Sequence, residues 1–490
     1  MKQFQGDVSH GMDPFDGAPR HLNKPITSAE VITSFKKLNN GRAVGPDLVP
    51  AELLKYGGDA LAPIFATILN GMFEMHEHID LGKGTLFPLQ KPGNPVGPPS
   101  NLRPIVLLTA LRKALSIITL QRISSQVEQY LSSTHSGFRR GWSTADVVWS
   151  HRWYAAACQK YKKQLVVLGI DMSKAFDCIR RGRLLAVLNS FLNEDDIRLI
   201  RVLLANTSFC AALRDVSSPA TARARPSSEL GLPFEIAYAD DADFISTESG
   251  WLGDLEPVIG DVLNGWALKV NPDKTEITVL GRSLDRVAEQ WRTTKKLGSL
   301  LGDSEDVSRR KQLAAAAFRS LWSLWSRRST VGEELRLRLY NAFVLPVLVY
   351  NASTWGLTAA AEGGLDAFHR GQLRSLIGFV WPQKIATTAL YDRCKAEPIS
   401  RIITRARWRL FGHILRLPSD APAVLSMVSY FQCDDHKWRG RPRITLPVKL
   451  DDDLHRAACG RLQSLEDLER LSDVAAVRSE WRQLLDMTCK

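Results

Sequence analysis

The stretch "EIAYADDADFIS", residues 235–246, sets two adjacent aspartates between two short runs of largely apolar, β-forming residues. This pattern predicts a β-hairpin with Asp240 and Asp241 at its tip. Upstream, "LVVLGIDMSKAFD" (165–177) predicts a buried strand that ends in charge at Asp171. Because strand ends can converge on one edge of a sheet, the three carboxylates are candidates for a single site.

Carboxylates gathered at one edge repel one another unless cations lie between them. Hard divalent ions such as Mg²⁺ are bound by carboxylates together with substrate phosphate. A pair of such ions would suit an in-line phosphoryl displacement. The alternative is an exposed turn, where aspartate is common, and the two aspartates by themselves leave both interpretations open.

Composition narrows the class of protein. The chain has 490 residues, 44% of them hydrophobic, which predicts two or three packed units. Lysine and arginine total 64 against 52 acidic residues, a net charge of +12 that favours a nucleic acid or an anionic membrane surface as partner. The sequence has no apolar run of about 18–20 residues and no apolar leader, so we expect an intracellular protein, in the nucleus, the cytoplasm or both, without a membrane partner.

Hydrophobic periodicity predicts helices that alternate with strands in the first half of the chain. A helix begins at Thr27 or Ser28, a second covers residues 51–73, and residues 85–104 form a short strand that enters a Pro/Gly-rich loop. This alternation favours an α+β domain.

The chain changes character near residue 303 and becomes helical and basic. Residues 308–329 predict a single helix, which we expect to pack in a core rather than to stack on bases. Its predicted apolar stripe comprises Leu313, Ala317, Leu321 and Trp325.

Five further stretches occur in order: "GRAVGPDLVPAELLKYGG", "LFPLQKPGNPVGPPSNLRPI", "SGFRRGWSTADVV", "LKVNPDKTEITVLG" and "KKLGSLLG". Together with "YADD", they resemble the reverse transcriptases of non-LTR retrotransposons, the long interspersed element type. The resemblance runs from about residue 25 to about residue 485. It implies a right-hand polymerase with fingers, palm and thumb and a mostly helical basic C-terminal region.

The implied domains are a disordered leader (1–24), fingers (25–160), palm (161–302), a helical thumb or connection (303–400) and a basic helical region (401–490). By the same resemblance, Asp171 and Asp240 are the principal metal ligands and Asp241 is the third acidic residue. Lys274, in "NPDKTE", matches the palm lysine that reaches the leaving pyrophosphate.

The resemblance also assigns nucleotide- and template-binding residues. Phe176 matches the bulky side chain that excludes a 2′-hydroxyl, although simple packing beneath the palm is an alternative. Lys91 and Arg103 match finger positions that meet triphosphate or template. Arg139 serves either the template or the fold, and Tyr238 precedes the aspartates within the nucleotide site.

The implied cofactor is Mg²⁺, with Mn²⁺ as an alternative. The implied partners are deoxynucleoside triphosphates, an RNA template, and a DNA primer or nicked target DNA. Members of this type usually carry an endonuclease, which residues 1–24 are too few to form, so we expect the nicking activity outside this chain.

The sequence departs from the resemblance between Asp171 and Tyr238, where the palm block containing "QGD" has no counterpart. Some dozens of residues are missing around Phe209 and Cys210. Loss of a helix that supports the palm predicts a weak or inactive polymerase. Three hypotheses follow: a reverse transcriptase, a remnant that binds nucleic acid without polymerising, and a divalent-metal nuclease, for which no general-base histidine is evident.

Residues 401–445 contain nine Arg or Lys and three Asp. With Trp408 and Phe411 among them, this composition suits phosphate contact and occasional base stacking, or else a solvated helix face. "RGRPR" (439–443), within a segment that predicts a linker or surface arm, resembles an arginine arm of the minor groove. His413 is expected to pack in the core.

Overall fold

The computed structural model describes residues 20–75, 81, 84–90, 102–173, 179–204, 235–247, 249–272, 274–283, 289–326, 330–379 and 382–489. The chain divides into two compact units. The first comprises Met1–Leu131, Met172–Thr221 and Val258–Val270, and the second comprises Ser132–Asp171, Ala222–Pro257 and Asn271–Lys490. Both units contain helices and strands, which confirms the expected mixture of the two.

The first unit is mainly helical. Its helices are α1 (Ser28–Lys36), α2 (Ala51–Tyr56), α3 (Gly58–Glu74), α4 (Ala110–Tyr130), α6 (Arg181–Leu188) and α7 (Glu194–Leu204). Strand β1 (Gly84–Gln90) pairs antiparallel with β2 (Leu102–Leu108). Strand β3 (Leu165–Ser173) ends in this unit, where Met172 and Ser173 pair with β6 (Lys269–Val270).

Local chemistry fixes the start of α1. The Thr27 hydroxyl accepts a hydrogen bond from the backbone N–H of Glu30, and the Glu30 carboxylate accepts one from the Thr27 N–H at 2.9 Å. This reciprocal capping satisfies two of the N–H groups that a helix start leaves unpaired. The predicted start of the first helix is therefore confirmed.

The single helix predicted over residues 51–73 is wrong in one respect, because the structure divides it. Helix α2 ends at Tyr56 and α3 begins at Gly58. Gly57 lies between them with ψ near 8°. Two consecutive glycines weaken helical continuity, since each loses more backbone freedom in a helix than other residues do.

One apolar core holds the first unit together. Helices α1, α3, α4 and α7 all contribute to it, through side chains that include Phe35, Leu69, Phe73, Leu115, Ile118 and Leu199. Buried Arg112 lies at its edge, where it donates to the backbone carbonyl of Leu81 at 2.7 Å.

The second unit contains an antiparallel sheet in the order β4-β5-β3-β7. Strands β4 (Glu235–Tyr238) and β5 (Asp241–Ser246) form the predicted hairpin, and β5 continues against β3. On its other side β3 pairs with β7 (Glu276–Leu280). Short strands β8 (Lys295–Lys296) and β9 (Ser299–Leu300) pair separately. Both strand predictions, for the hairpin and for the buried strand, are confirmed.

The helices of the second unit are α5 (Thr144–Lys160), α9 (Asp303–Ser320), α10 (Trp322–Ser326), α11 (Glu333–Phe343), α12 (Leu345–Leu348), α13 (Ala359–Ile377), α14 (Thr387–Cys394), α15 (Ile399–Ile414), α16 (Pro422–Gln432), α17 (Leu446–Arg456), α18 (Leu465–Ala476) and α19 (Arg478–Thr488). Helix α8 (Ser249–Gly265) runs from this unit into the first. Short 3₁₀ helices occur at Gln290–Thr293 and Ala352–Thr354.

Helix α5 covers one face of the sheet. Its buried residues Val147, Tyr154 and Cys158 share a core with strand residues that include Leu165 and Val167. On a strand, alternate residues share a face. Residues 169 and 171 of β3 therefore belong to the face that α5 covers.

The helix predicted over residues 308–329 is divided at Leu321 into α9 and α10. The predicted stripe is wrong at Leu313, which is 39% exposed, whereas Ala317 and Leu321 pack against the core. The buried positions in this part of α9 are Arg310, Ala314 and Phe318. Trp325 is buried and stacks on Phe318, with ring centroids 5.4 Å apart, so its interpretation as a core residue is confirmed.

The C-terminal helices enclose an aromatic core that corrects one expectation. Trp408 and Phe411 are 0% exposed and pack among Trp149, Trp153 and Trp481. Base stacking by Trp408 or Phe411 would require these rings to leave the core, so that hypothesis is wrong for both.

The burial of two further residues of α15 differs from what the composition predicted. Arg407 is fully buried and donates to Asp453 Oδ2 at 2.8 Å, so it does not contribute to a basic surface. His413 is partly exposed, and its Nε2 lies 3.4 Å from Asp146 Oδ1. The expectation of a packed core histidine is therefore only partly correct. No helix in the described ranges has the length and apolar content needed to cross a membrane.

Candidate active site

Strand register brings the predicted carboxylates to one edge of the second unit's sheet. Asp171, near the end of β3, pairs directly with Asp241 at the start of β5. Directly opposed residues of an antiparallel pair project to the same face. Asp240 occupies the hairpin turn immediately before Asp241. The three aspartates therefore share one edge, as the sequence pattern predicted.

The loop of the "SGFRRG" motif supports the hairpin. The Ser136 N–H donates to the carbonyl of Ala237 at 2.8 Å, and the Ala237 N–H donates to the carbonyl of Thr134 at 2.9 Å. Gly137 lies so close to the turn that a Cβ there would be well inside van der Waals contact of the Ala239 nitrogen and 3.0 Å from its Cα. Ala239 itself has a left-handed φ of 58°. This loop thus fixes the turn that carries Asp240.

Asp171 is held by a short segment that follows β6. The Asn271 N–H donates to the Asp171 carbonyl at 2.8 Å, and Asn271 Nδ2 donates to Oδ2 at 3.3 Å. Lys274 Nζ donates to both carboxylate oxygens, at 3.1 and 2.9 Å. The lysine predicted to serve the leaving group therefore lies beside a predicted metal ligand.

Electrostatics at this edge favour binding of a cation. Partial desolvation, together with the neighbouring carboxylates of Asp240, Asp171 and Asp243, raises the pKa of Asp241 to about 6, although its side chain reaches solvent. The part of the shift that comes from the neighbouring carboxylates would be offset by a bound cation.

The donor set fits divalent ions chemically, since hard cations take carboxylate oxygens. The side chains as placed do not form a ready coordination shell. Within the described ranges, no three His, Cys, Asp or Glu side chains are grouped closely enough to hold a metal ion. Part of the reason is that the Asp171 carboxylate faces Lys274 and Asn271, so metal binding there requires Lys274 to move.

Beneath the edge lies a buried charge cluster that the sequence analysis did not identify. Lys296 Nζ donates to Asp243 Oδ1 at 2.7 Å and lies 3.2 Å from Glu276 Oε1. His151 of α5 is fully buried, with Nε2 3.0 Å from Asp243 Oδ2. Its Nδ1 lies 2.8 Å from the Val147 carbonyl, which only accepts, so Nδ1 carries a proton.

Charge balance in this cluster keeps Asp243 ionised. Burial alone would raise the pKa of Asp243, but Lys296 and His151 outweigh burial and lower the pKa to about 2. Burial likewise opposes the charge on Lys296, yet Asp243 and Glu276 raise its pKa above the ordinary lysine value. The cluster therefore ties β5, β7, β8 and α5 together around Asp243 and Lys296.

Gly169 of β3 makes room for this cluster. It pairs with Asp243 on one side and Glu276 on the other. A Cβ at Gly169 would be well inside van der Waals contact of Lys296 Nζ and 2.9 Å from Asp243 Oδ1. The alternation of Asp241 and Asp243 along the strand was the one available sequence signal, because residues two apart share a face.

The edge opens into a cavity of about 450 Å³. Its lining includes Asp171, Tyr238, Asp241, Asp243, Lys274 and Lys296. A mixed lining of carboxylates and ammonium groups suits a ligand that carries phosphates and cations together.

The remaining predicted site residues are placed as follows. Tyr238, half-buried at the end of β4, pairs with Asp241. Arg139 donates to the carbonyls of Ser132 and His135, both at 2.9 Å, and lies 4.6 Å above the Trp142 ring. These contacts place Arg139 within its own loop.

Three predicted nucleotide- or template-binding residues remain: Arg103, Lys91 and Phe176. The backbone of Arg103 lies in β2, opposite Leu89 of β1. Lys91 and Phe176 lie outside the described residues, as does the junction at 209–210 where a palm block is predicted to be missing. Their predicted roles stay predictions.

Comparison with known proteins shows what this chain is similar to. Residues 89–302 match the family "Reverse transcriptase (RNA-dependent DNA polymerase)". The chain is also 24% identical, over 391 residues, to a "Probable RNA-directed DNA polymerase from transposon BS" of Drosophila melanogaster. That match covers 69% of this chain and 43% of the relative, so the chain spans less than half of the relative's length. Both findings confirm the resemblance that the motifs indicated.

Proposed function

We propose that the chain, whose residues 89–302 match the reverse transcriptase family, is an RNA-directed DNA polymerase of non-LTR retrotransposon origin. Its substrates would be deoxynucleoside triphosphates, an RNA template, and a DNA primer or nicked target DNA. The observation that carries the proposal is the β3–β5 register, which sets Asp171 opposite Asp241 beside the turn that holds Asp240.

The three aspartates would hold Mg²⁺ or, alternatively, Mn²⁺. Bound divalent ions would supply activation of the primer 3′-hydroxyl and stabilisation of the leaving oxygen. The protein's own side chains and turns position these aspartates. The turn held by Gly137 orients Asp240, and the buried pair of Asp243 and Lys296 fixes the strand that carries Asp241.

Lys274 is the proposed proton donor to the leaving pyrophosphate. Its side chain is 62% exposed at the cavity, so it can exchange Asp171 for a phosphate. The Asp171 carboxylate, 18% exposed, would then be left to pair with a bound cation. Phe176 is proposed to exclude a 2′-hydroxyl, while Lys91, Arg103, Arg139 and Tyr238 are proposed to contact nucleotide or template. A right-hand arrangement of fingers, palm and thumb belongs to the same proposal.

A second candidate is a remnant that binds nucleic acid without polymerising. One feature of the sequence favours this remnant, because the "QGD" block of the palm has no counterpart between Asp171 and Tyr238. Loss of a supporting helix exposes apolar surface and weakens the strand it packs against. We therefore expect slower extension than in relatives that keep the block.

Primer extension on an RNA template with Mg²⁺ tests the first candidate. Asp240→Asn should abolish extension while binding of the primer-template is retained. Asp420→Asn, an exposed aspartate outside the cavity, is the matched control and should leave extension unchanged. Binding without extension in both the unmodified chain and Asp240→Asn would favour the remnant.

A further inference from the structure

A basic loop, Lys437–Arg443, is anchored to the end of α5. The Lys162 N–H donates to the carbonyl of His436 at 2.9 Å, and the Trp438 N–H donates to the carbonyl of Lys160 at 3.0 Å. Tyr161 and Lys437 form the β-bridge between these two bonds. The segment predicted to be a linker or surface arm is therefore held to the protein at this end.

Trp438 holds cations beside the loop. Its indole N–H donates to the carbonyl of Cys158 at 3.4 Å. Lys162 Nζ lies 5.7 Å from the ring centroid and Arg282 Cζ lies 5.3 Å from it. Contacts of this kind attract a cation to the ring face. The ring thus places two further positive groups next to the basic loop.

The other end of the basic loop is fixed by Arg443. Its Nη1 donates to Gln159 Oε1 at 2.6 Å and to Glu289 Oε1 at 2.7 Å. Between the anchors, Arg439 and Arg441 are exposed and flank Gly440, which has a φ of 102°. Two arginines on a short loop with both ends held lose less conformational freedom on binding than two on a free tail.

The surroundings of the basic loop are predominantly positive. Burial and the nearby Lys437 lower the pKa of Lys160. Of the acidic groups close by, Asp435 pairs with Lys163 at 2.8 Å and Glu289 with Arg443, whereas Asp434 is exposed. Among the described residues, Lys162, Lys437, Arg439 and Arg441 form no ion pair with an acidic side chain. Their charge is available to a ligand.

We propose that the basic loop, with Lys160, Lys162 and Arg282, is a binding surface for the sugar-phosphate backbone of nucleic acid, built from residues other than those of the candidate active site. Guanidinium groups suit phosphate because they donate two parallel hydrogen bonds. A membrane is disfavoured, since surface anchoring needs apolar side chains and the loop's single aromatic residue, Trp438, is engaged with α5.

Backbone contacts carry no sequence information, so the surface should bind without sequence preference. It does not depend on the polymerase activity proposed above. A defect in binding and a defect in extension are therefore separable, and the binding experiment uses no nucleotide.

The test is fluorescence anisotropy of the full chain with a labelled mixed-sequence DNA duplex of about 20 base pairs, titrated over a range of salt concentrations. Arg439→Gln with Arg441→Gln should raise Kd by about 10-fold and reduce the slope of log K against log salt by about 2. The matched control is Arg478→Gln with Arg482→Gln, two exposed arginines of α19, and should leave the slope unchanged.

Three results would overturn the proposal. An equal loss in both double variants would show an effect of net charge alone. Unchanged duplex binding by the loop variant would show that the surface does not bind nucleic acid. The same conclusion would follow if the loop variant bound phosphatidylserine vesicles more weakly but bound the duplex as before. Because Arg439 and Arg441 are exposed, circular dichroism melting should show the same Tm as the unmodified chain.

Discussion

Lys274 Nζ lies 2.9 Å from Oδ2 of Asp171, so a basic residue assigned to the leaving group is paired with an acid assigned to the metal. The backbone carbonyl of Asp171 also accepts from Asn271. The "NPDKTE" segment thus positions both ends of the same aspartate. Since 62% of the Lys274 side chain is exposed, this pair is an exchangeable contact and contributes little to folding.

The first prediction concerns Lys274. Lys274→Ala should slow primer extension by about 10²-fold, near the lower limit for loss of a positioned proton donor. Lys274→Arg retains the charge but holds its proton too firmly to donate it, so it should restore binding and not rate. Single-turnover extension measures both. Lys269→Ala, an exposed lysine of β6, is the control, and an equal slowing there would exclude a specific role for Lys274.

The second prediction concerns the close approach of Gly137 to Ala239. Gly137→Ala would press a Cβ against backbone atoms of the hairpin turn, which cannot rotate away. We expect a loss of about 1–3 kcal/mol in the free energy of unfolding and a larger loss of extension, because the turn carries Asp240. Urea denaturation provides the measurement. Gly182→Ala, in helix α6, has open space around its Cβ and should leave extension unchanged and not lower the free energy of unfolding. Equal behaviour of the two variants would contradict the proposed support of the turn.

Local features were predicted well from the sequence. The helix start at Thr27, the hairpin and the buried strand ending near Asp171 depend on neighbouring residues, and those neighbours are visible in the sequence. The convergence of Asp171 with Asp241 also followed, because a hairpin that pairs with a buried strand brings their ends together.

Features set by distant parts of the chain were not predicted. His151 was an unremarked residue of a helix, and only packing of α5 on the sheet brings it to Asp243. The basic residues around Trp408 and Phe411 predicted rings at the surface, whereas the tertiary core buries both. Periodicity predicts the presence of a helix more reliably than the burial of each apolar residue, as exposed Leu313 of α9 shows.

The third prediction uses the buried pair of Lys296 and Asp243. Lys296→Met removes the cation and leaves an ionised carboxylate in a buried place, so the free energy of unfolding should fall by about 3–5 kcal/mol. Asp243→Asn alone should cost a comparable amount. The double variant should cost clearly less than the two single changes added together, because neither charge is then left unpaired.

Urea denaturation of the four proteins gives the coupling energy for this pair. The loss of stability should be accompanied by a loss of extension, since the strand that holds Asp243 also holds Asp241. Additive single effects would mean that the pair does not act as a unit.

The fourth prediction concerns His369 of α13, which is almost fully buried. Its Nδ1 lies 2.8 Å from the Tyr340 hydroxyl, and that hydroxyl donates to Gln372 Oε1 at 2.9 Å. Burial lowers the pKa of His369 to about 4, against about 6.5 in the unfolded chain. Between these values the unfolded chain binds the extra proton and the folded chain does not.

Stability associated with His369 should therefore be complete above about pH 6.5 and should fall as the pH is lowered towards 4, by up to about 3 kcal/mol. His369→Gln keeps a polar side chain beside Tyr340 but cannot titrate, so its stability should vary less over this range. His455→Gln, at an exposed histidine of α17, should retain the pH dependence of the unmodified chain. Denaturation curves at intervals between pH 4 and 7 measure the difference. If His369→Gln and the unmodified chain lost stability in parallel, the pH dependence would arise from other groups, because a side chain that cannot bind the proton cannot contribute to it.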